Sequence, residues 1–248
     1  MPHEPVTEPS RSPSRSPPWI QHLRGRIDGL HSAVLVFPLF LVYQIGILGG
    51  RGQNGVDLLT RQLVAVAQRD VSTYVGVLLT ALVLYAAVLV ALSRRGRLDP
   101  RVFGPMLLES SLYALTMGSI IVFVMHRFLG ALPGLALAST GVGDAIVISA
   151  GAGFHEELVF RVLVMGGLAW ALTGLTGERR AWLAALVLSS LVFSLAHHIG
   201  PAGEAFSFAA FTYRTLAGAF FAIIYRVRGF AVAAWTHALY DLYVLGLS

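Results

Sequence analysis

Apolar residues dominate seven long stretches of this chain, and short polar segments separate them. A helix needs about 20 mostly apolar residues to cross a lipid bilayer, and the stretches are close to that length or longer. The pattern therefore predicts an all-α, polytopic membrane protein with about seven transmembrane helices. The predicted spans are residues 31–50, 71–92, 105–127, 143–173, 181–199, 205–226 and 229–247.

Three segments in the first part of the chain do not fit a span. Residues 1–18 are rich in Pro, Ser and Arg and lack the apolar side chains of a core, which predicts a disordered tail. Apolar residues recur at helical spacing in 19–30 and 56–68, which predicts amphipathic helices at the membrane surface. For 19–30, the alternative is a polar segment that leads into the first span without forming a surface helix, and the sequence favours neither of the two. No second domain is indicated, so 19–248 is predicted to be one helical domain.

Composition supports the membrane class and excludes several others. Hydrophobic residues make up 56% of the chain and charged residues 12%, about half the usual charged share of soluble domains. The net charge is +5, but the arginines lie between spans and in the tail rather than in a stripe on one face, which argues against nucleic-acid binding. The chain has 0 cysteines, so disulfides, thiolate metal sites and a cysteine nucleophile are excluded.

The distribution of arginine predicts an orientation in the membrane. Basic residues concentrate in the N-terminal tail and in the loops after the second, fourth and sixth spans, which all lie on one side if there are seven spans. The positive-inside rule makes that side cytoplasmic. We therefore expect an integral protein of the bacterial inner membrane with a cytoplasmic N terminus. The arginines are Arg11, Arg15, Arg24, Arg26, Arg94, Arg95, Arg97, Arg101, Arg179, Arg180, Arg226 and Arg228.

Two adjacent glutamates, Glu156 and Glu157, lie inside the fourth predicted span. A carboxylate at membrane depth is costly unless it has partners or water, so such a pair marks a candidate functional site. Arg161 follows Glu157 by one helical turn on the same face, which predicts a structural ion pair. Glu156 is rotated by about 100° from its neighbour and is therefore available for a reaction.

Two other spans carry titratable groups at similar depth. His197 lies at the end of the fifth span, and His237 lies in the seventh, one helical turn before Asp241. Lipid favours the convergence of such groups around shared partners or water. We therefore expect these three side chains to meet Glu156 in one site.

The remaining polar groups at depth permit more than one interpretation. His155 and His198 point away from the faces just described, which favours packing or interfacial roles. Arg214 lies in the sixth span, and two roles are expected for it. It neutralises Asp241 or a substrate carboxylate in one, and its side chain extends toward a lipid headgroup in the other. The His-Glu-x-x-His motif of zinc proteases is absent, because Val159 stands where the second histidine would be.

Together these residues resemble the CPBP intramembrane endopeptidases, a family that includes CAAX-prenyl endopeptidases and bacteriocin-processing proteins. The family pattern is Glu-Glu-x-x-x-Arg, then Phe-x-x-x-His, then His-x-x-x-Asn/Asp. The resemblance extends from about residue 145 to the C terminus. The chain has Glu156-Glu157-x-x-x-Arg161, Phe193-x-x-x-His197 and His237-x-x-x-Asp241, in that order.

The resemblance implies an intramembrane peptidase whose helices surround a water-filled cavity. It implies that Glu156 is the general base and that His197 helps to orient the water. It further implies that His237 stabilises the oxyanion, assisted by residue 241. An Asn at that position would donate a hydrogen bond. An ionised Asp241 cannot donate one, so we expect Asp241 either to orient His237, as a carboxylate does in a catalytic triad, or to stay protonated.

A metal-dependent mechanism is the alternative within the same family. Glu156, His197 and His237 form a His₂Glu set, which is a zinc ligand combination in soluble proteases. A metal-free glutamic mechanism without cofactors is favoured, because the ion pair with Arg161 leaves Glu157 unavailable as a base. Zinc stays open as a cofactor.

Two functions of other classes compete with a peptidase. A proton-coupled transporter would use the acids and imidazoles as a relay, but the inverted repeats that this class predicts are not visible. An inactive membrane scaffold does not explain the intact motifs.

The expected partner is a membrane protein or peptide substrate within the lipid bilayer. Because His197 is expected toward the outside, the substrate is expected to be an exported protein. The resemblance to sorting-type relatives implies that it is processed near its C terminus.

Overall fold

The computed structural model describes residues 25–49, 71–94, 96–130, 141–199 and 203–246. The predicted tail at 1–18, the surface helix at 56–68 and the first half of the amphipathic segment, 19–24, lie outside these ranges. Those predictions, and the single-domain assignment that depends on them, remain predictions.

The described chain is helical, and the described ranges contain no strand, which confirms the all-α prediction. Helix α4 is longer than the predicted span and runs without a break through the two glutamates. Within the described ranges the seven long helices are α1 (Gly29–Leu48), α2 (Val71–Ser93), α3 (Phe103–Leu129), α4 (Val142–Thr176), α5 (Glu178–Ala196), α6 (Phe208–Arg228) and α7 (Phe230–Gly246).

Six helices in the described ranges, α1 to α6, are long and apolar enough to cross a membrane, which confirms a polytopic membrane protein. The seventh predicted span forms α7, a helix of 17 residues that is not among these six. At 1.5 Å per residue it is about 26 Å long, somewhat less than the hydrocarbon core of about 30 Å.

Helix α7 occupies the centre of the bundle and packs against α1, α3, α4 and α6. Its small residues Ala231, Ala233 and Ala234 are fully buried, and small side chains allow membrane helices to approach closely. On α4, a Cβ atom at Gly153 would overlap the carbonyl oxygen of Ala234. This close approach brings His237 of α7 beside the glutamates of α4.

The backbone of α4 departs from a regular α-helix at the glutamates. Two π-helical stretches, Ala152–Glu156 and Leu158–Met165, lie between its α-helical ends. A π-helix widens the turn and changes the direction of its side chains, and it occurs often at functional sites. The sequence predicted only a long helix here, because hydrophobic periodicity does not distinguish these helix types.

Helix α2 lies at the periphery and packs chiefly against α1. The contact centres on Tyr85, whose hydroxyl bonds to the carbonyl oxygen of Ala33 and whose ring stacks on Phe37 at 5.0 Å between centroids. No residue in the most apolar stretch of α2 is buried within the bundle. This helix therefore presents its surface to lipid and takes no part in the site described next.

Candidate active site

The acids and imidazoles from three separate segments meet inside the bundle, as the sequence predicts. Glu156 is only 4% exposed, and its Oε2 lies 3.6 Å from Nε2 of His197. The same oxygen lies 3.9 Å from Nε2 of His237. One carboxylate and two imidazoles thus point toward a common centre. They come from helix α4, from the residue after α5 and from the middle of α7.

Both imidazoles are oriented through their Nδ1 atoms. Nδ1 of His197 lies 2.9 Å from the carbonyl oxygen of Phe193, one turn earlier. Nδ1 of His237 lies 2.8 Å from Oε1 of Glu157. A carbonyl or carboxylate oxygen accepts hydrogen bonds, so each Nδ1 carries the proton that it donates. Each Nε2 atom is thereby directed at Glu156.

Glu157 and Arg161 form the expected buried ion pair. Nε of Arg161 donates to Oε2 of Glu157 at 2.9 Å, and Nη2 donates to Oε1 at 3.3 Å. Both side chains are 0% exposed. Glu157 has a further partner that the sequence did not predict, because Oε1 also accepts the hydrogen bond from His237. The Glu157 carboxylate therefore connects Arg161 on α4 to His237 on α7.

Asp241 occupies a different place from the one expected of an orienting carboxylate. Its Oδ2 lies 3.5 Å from Nε2 of His237, the nitrogen that also faces Glu156. The opposite nitrogen, Nδ1, is bonded to Glu157. The triad-like role expected of Asp241 thus corresponds in position to Glu157. Asp241 instead lies beside Nε2, on the side of the imidazole that faces Glu156.

Aromatic rings surround the two imidazoles. The ring of Phe221 on α6 stacks on His237, with centroids 4.3 Å apart and planes inclined by 16°. Phe193 contacts the ring of His197 at 4.9 Å and lies 4.8 Å from the guanidinium carbon of Arg161. The sequence identified Phe193 only as part of a motif and missed Phe221. No sequence signal marks Phe221, because its partner lies on another helix.

A cavity of about 210 Å³ adjoins the imidazoles. It lies between the end of α5, the first half of α6 and the second half of α7, and it combines polar groups with apolar walls. Two of its tyrosines, Tyr213 and Tyr240, are hydrogen-bonded to each other through their hydroxyls. The lining residues are Phe193, His197, Tyr213, Arg214, Ala217, Phe221, His237, Tyr240, Asp241, Val244 and Leu245.

The other polar groups singled out in the sequence lie beside this centre. Arg214 lines the cavity and forms an ion pair with Glu204, which is not one of the partners expected for it. His155 packs against Tyr43 with ring centroids 4.7 Å apart, and His198 packs against Phe206 at 5.2 Å. Both of these histidines therefore have the packing positions that were expected.

The zinc alternative can be compared with the positions of the donor atoms. Across the part of the chain that the structure describes, no group of three or more His, Asp and Glu side chains is arranged to hold a metal ion. The combination of Glu156, His197 and His237 is included in that finding. The donor types of a zinc site are nevertheless present around one point, and zinc stays an alternative cofactor.

Comparison with protein families gives one match. Residues 138–243 match the family model described as Type II CAAX prenyl endopeptidase Rce1-like. The matched segment contains the two glutamates, both imidazoles of the candidate site and Asp241, and the match confirms the resemblance to the CPBP family. The family consists of membrane-bound proteases that act on membrane-associated proteins. No curated protein and no solved structure matches the chain.

Proposed function

Since residues 138–243 match an intramembrane endopeptidase family, we propose that this protein hydrolyses a peptide bond of a membrane-associated protein or peptide by means of a glutamate-activated water. One observation supports this proposal above all others. Oε2 of Glu156 faces Nε2 of His197 at 3.6 Å and Nε2 of His237 at 3.9 Å in a buried site.

These separations suit a water molecule better than direct hydrogen bonds. They exceed the usual limit of about 3.2 Å, and a water about 2.8 Å from each atom can bridge them. In the proposed reaction, Glu156 removes a proton from this water as its oxygen attacks the carbonyl carbon of the scissile bond. Glu156 then gives that proton to the leaving amine nitrogen, which releases the amine product and restores the carboxylate.

The two imidazoles have distinct roles in this proposal. His197, held by the carbonyl of Phe193, accepts a hydrogen bond from the attacking water through Nε2. His237 is protonated on both nitrogens and donates from Nε2 to the oxyanion, while Glu157 stabilises its positive charge at Nδ1. A preorganised donor of this kind is worth about 3–4 kcal/mol to the transition state. Asp241, beside Nε2, helps to hold the imidazolium in place.

We propose that no metal takes part. Both oxygens of Glu157 are bonded to Arg161 or His237, so a zinc bound by Glu156 would leave no second glutamate to act as the base. Elemental analysis of the purified protein, combined with assays in chelator, tests this step. We expect no stoichiometric zinc and full activity in chelator. One zinc per chain, with activity lost in chelator and restored by zinc, would establish the metal-dependent alternative.

The transporter alternative predicts helices that are interrupted at the binding site. Helix α4 runs from residue 142 to residue 176 without interruption, although its hydrogen-bonding pattern changes at Glu156. This continuity favours a peptidase.

The position of the cavity supports a substrate that is processed on the outer side of the inner membrane. The cavity lies near the end of α5 and the start of α6, whereas Arg179, Arg226 and Arg228 lie at the opposite ends of these helices. If the basic ends are cytoplasmic, the N terminus is cytoplasmic and the cavity opens outward. This arrangement suits C-terminal processing of exported proteins.

Thiol labelling tests the orientation without background, because the chain has 0 cysteines. Ile199→Cys places a thiol on an exposed residue beside His197, and Arg180→Cys serves as the control at the basic end of α5. We expect a membrane-impermeant reagent to label only the Ile199→Cys protein in intact spheroplasts. Labelling of the Arg180→Cys protein alone would place the cavity on the cytoplasmic side.

The substrate itself is identified by comparing protein C termini in cells that carry the wild-type protein or Glu156→Ala. We expect at least one membrane-associated protein to retain its C-terminal extension only in the variant strain. Identical sets of C termini in both strains would contradict C-terminal processing.

A further inference from the structure

Arg214 places a positive charge in the wall of the catalytic cavity. The residue lies in the first half of α6, and its side chain is 16% exposed. It lines the same cavity of about 210 Å³ as His197, His237 and Asp241. A charged group at this depth of a membrane protein marks a pathway or binding site for a substrate.

The guanidinium of Arg214 is only partly satisfied by protein groups. Nη2 is bonded to the exposed carboxylate of Glu204. The backbone N–H of Glu204 donates to the carbonyl oxygen of His197 at 2.9 Å, so this contact connects Arg214 to the catalytic histidine segment. Nη1 is buried and has no hydrogen-bond partner among the described residues. A buried donor without a partner is unfavourable, which indicates that a ligand completes the arrangement.

We propose that Nη1 of Arg214 binds the terminal carboxylate of the substrate, so that the cavity holds the C-terminal end that is cut off. This inference rests on the proposed peptidase function and adds a specificity-determining residue to it. Arginine is suited to this role, because its planar guanidinium donates paired hydrogen bonds to a carboxylate. The charge of Asp241 in the same cavity is offset by the imidazolium of His237, 3.5 Å away.

The dimensions of the cavity limit the length of the released piece. A volume of about 210 Å³ corresponds to a space about 7 Å across, and an extended residue spans about 3.5 Å. A released piece that fits this cavity is therefore short. The walls contributed by Ala217, Val244 and Leu245 are apolar, so the released residues are expected to have apolar side chains.

The test uses N-palmitoylated five-residue peptides that are randomised at every position, prepared once with a free C-terminal carboxylate and once as C-terminal amides. Cleavage by the purified full-length protein in lipid nanodiscs is followed by mass spectrometry. We expect the acid form to be cut about tenfold or more faster than the amide form, the effect of one charge-assisted hydrogen bond. We expect Arg214→Gln to bring this ratio close to one and Arg214→Lys to restore part of it.

Arg226→Gln is the matched control. Arg226 lies on the same helix and contacts the exposed side chain of Glu178, away from the cavity, so this variant should keep the wild-type ratio. Equal cleavage of acid and amide peptides by the wild-type protein would overturn the proposal. A uniform loss in Arg214→Gln that leaves the acid-to-amide ratio unchanged would show that Arg214 has only a structural role.

A binding measurement separates this inference from the peptidase proposal. If neither peptide set is cleaved, both are equilibrated with the Glu156→Gln protein, and the retained peptides are quantified. Preferential retention of the acid form that disappears in Glu156→Gln/Arg214→Gln supports carboxylate binding even without catalysis. Equal retention of both forms refutes the role of Arg214.

Discussion

Glu157 accepts a hydrogen bond from Nδ1 of His237 at 2.8 Å, although the two residues are 80 positions apart in the chain and lie on different helices. The same carboxylate is bonded to Arg161. One buried group therefore stabilises the packing of α4 against α7 and also fixes the direction of an imidazole in the candidate active site. Stability and activity are expected to be coupled at Glu157 and separable at Glu156.

The two adjacent glutamates should thus respond differently to the same substitution. Glu156→Gln should lower the cleavage rate by at least about a hundredfold, because it removes the general base, while thermal unfolding in detergent stays close to that of the wild type. Glu157→Gln should lower both the rate and the midpoint of thermal unfolding. If Glu156→Gln retained most of its activity with the substrate identified from the C-terminal comparison, the assignment of the base would be wrong.

Removing only one member of the buried Glu157–Arg161 ion pair should lower the stability of the protein. Arg161→Met removes the buried guanidinium that donates to both oxygens of Glu157, so we expect the free energy of unfolding to fall by about 3 kcal/mol. The double variant Glu157→Gln/Arg161→Met should be less destabilised than the sum of the single variants. Reversible unfolding in lipid–detergent mixtures measures all three values. Strict additivity would mean that the two side chains do not interact.

The stacking of Phe221 on His237 should affect catalysis more than substrate binding. Phe221→Leu removes the flat surface that holds the imidazole, and a small displacement of a reacting group can cost up to about a hundredfold in rate. We expect kcat to fall at least about tenfold with a smaller change in KM. Phe206→Leu is the control, because Phe206 is 65% exposed and contacts His198 instead. Equal effects of the two substitutions would contradict this interpretation.

Close packing between α4 and α7 should make Gly153 intolerant of a side chain. The added Cβ of Gly153→Ala would overlap Ala234, and overpacking of this kind costs about 1–3 kcal/mol. Gly167→Ala lies further along α4, where a Cβ meets no atom within 4 Å, so it should be neutral or slightly stabilising. Thermal unfolding of both variants measures the difference. The prediction fails if Gly153→Ala is as stable as Gly167→Ala.

The side chain at position 241 should be needed for its polar group rather than for its charge. The related family pattern allows Asn or Asp there, and Oδ2 of Asp241 lies 3.5 Å from Nε2 of His237. Asp241→Asn should keep the cleavage rate within about tenfold of the wild type, whereas Asp241→Leu should lose considerably more, because a catalytic polar interaction contributes about 10²-fold or more. Similar rates for the two variants would contradict a polar role.

The three motifs were sufficient to predict which residues converge. His197 and His237 were expected beside Glu156 because titratable groups at membrane depth need polar partners, and these lay on separate apolar segments. Their distances of 3.6 and 3.9 Å to Oε2 of Glu156 agree with that reasoning. The ion pair of Glu157 with Arg161 followed from helical spacing alone, since both residues lie on one helix.

Two contacts in the site were not predicted from the sequence, and both depend on how distant segments of the chain pack together. Glu204, in the segment before α6, is bonded to Arg214 and was not among its expected partners, although Arg214 does line the same cavity as Asp241. Asp241 was expected to orient His237 or to stay protonated, and Glu157 rather than Asp241 is bonded to Nδ1 of that imidazole. In each case several partners satisfied the sequence pattern equally well, and the choice among them depended on how the helices rotate and approach.

Hydrophobic spacing and motif order were enough to establish the helical membrane class and the identity of the central residues, because both arise from local chemistry along the chain. The direction of each side chain, the π-helical turns of α4 and the cavity beside Arg214 arise from packing. They depend on small residues such as Gly153 and Ala234, which bring α4 and α7 close together. Sequence periodicity records which face of a helix is apolar, but it contains no information about the neighbouring helix that this face meets.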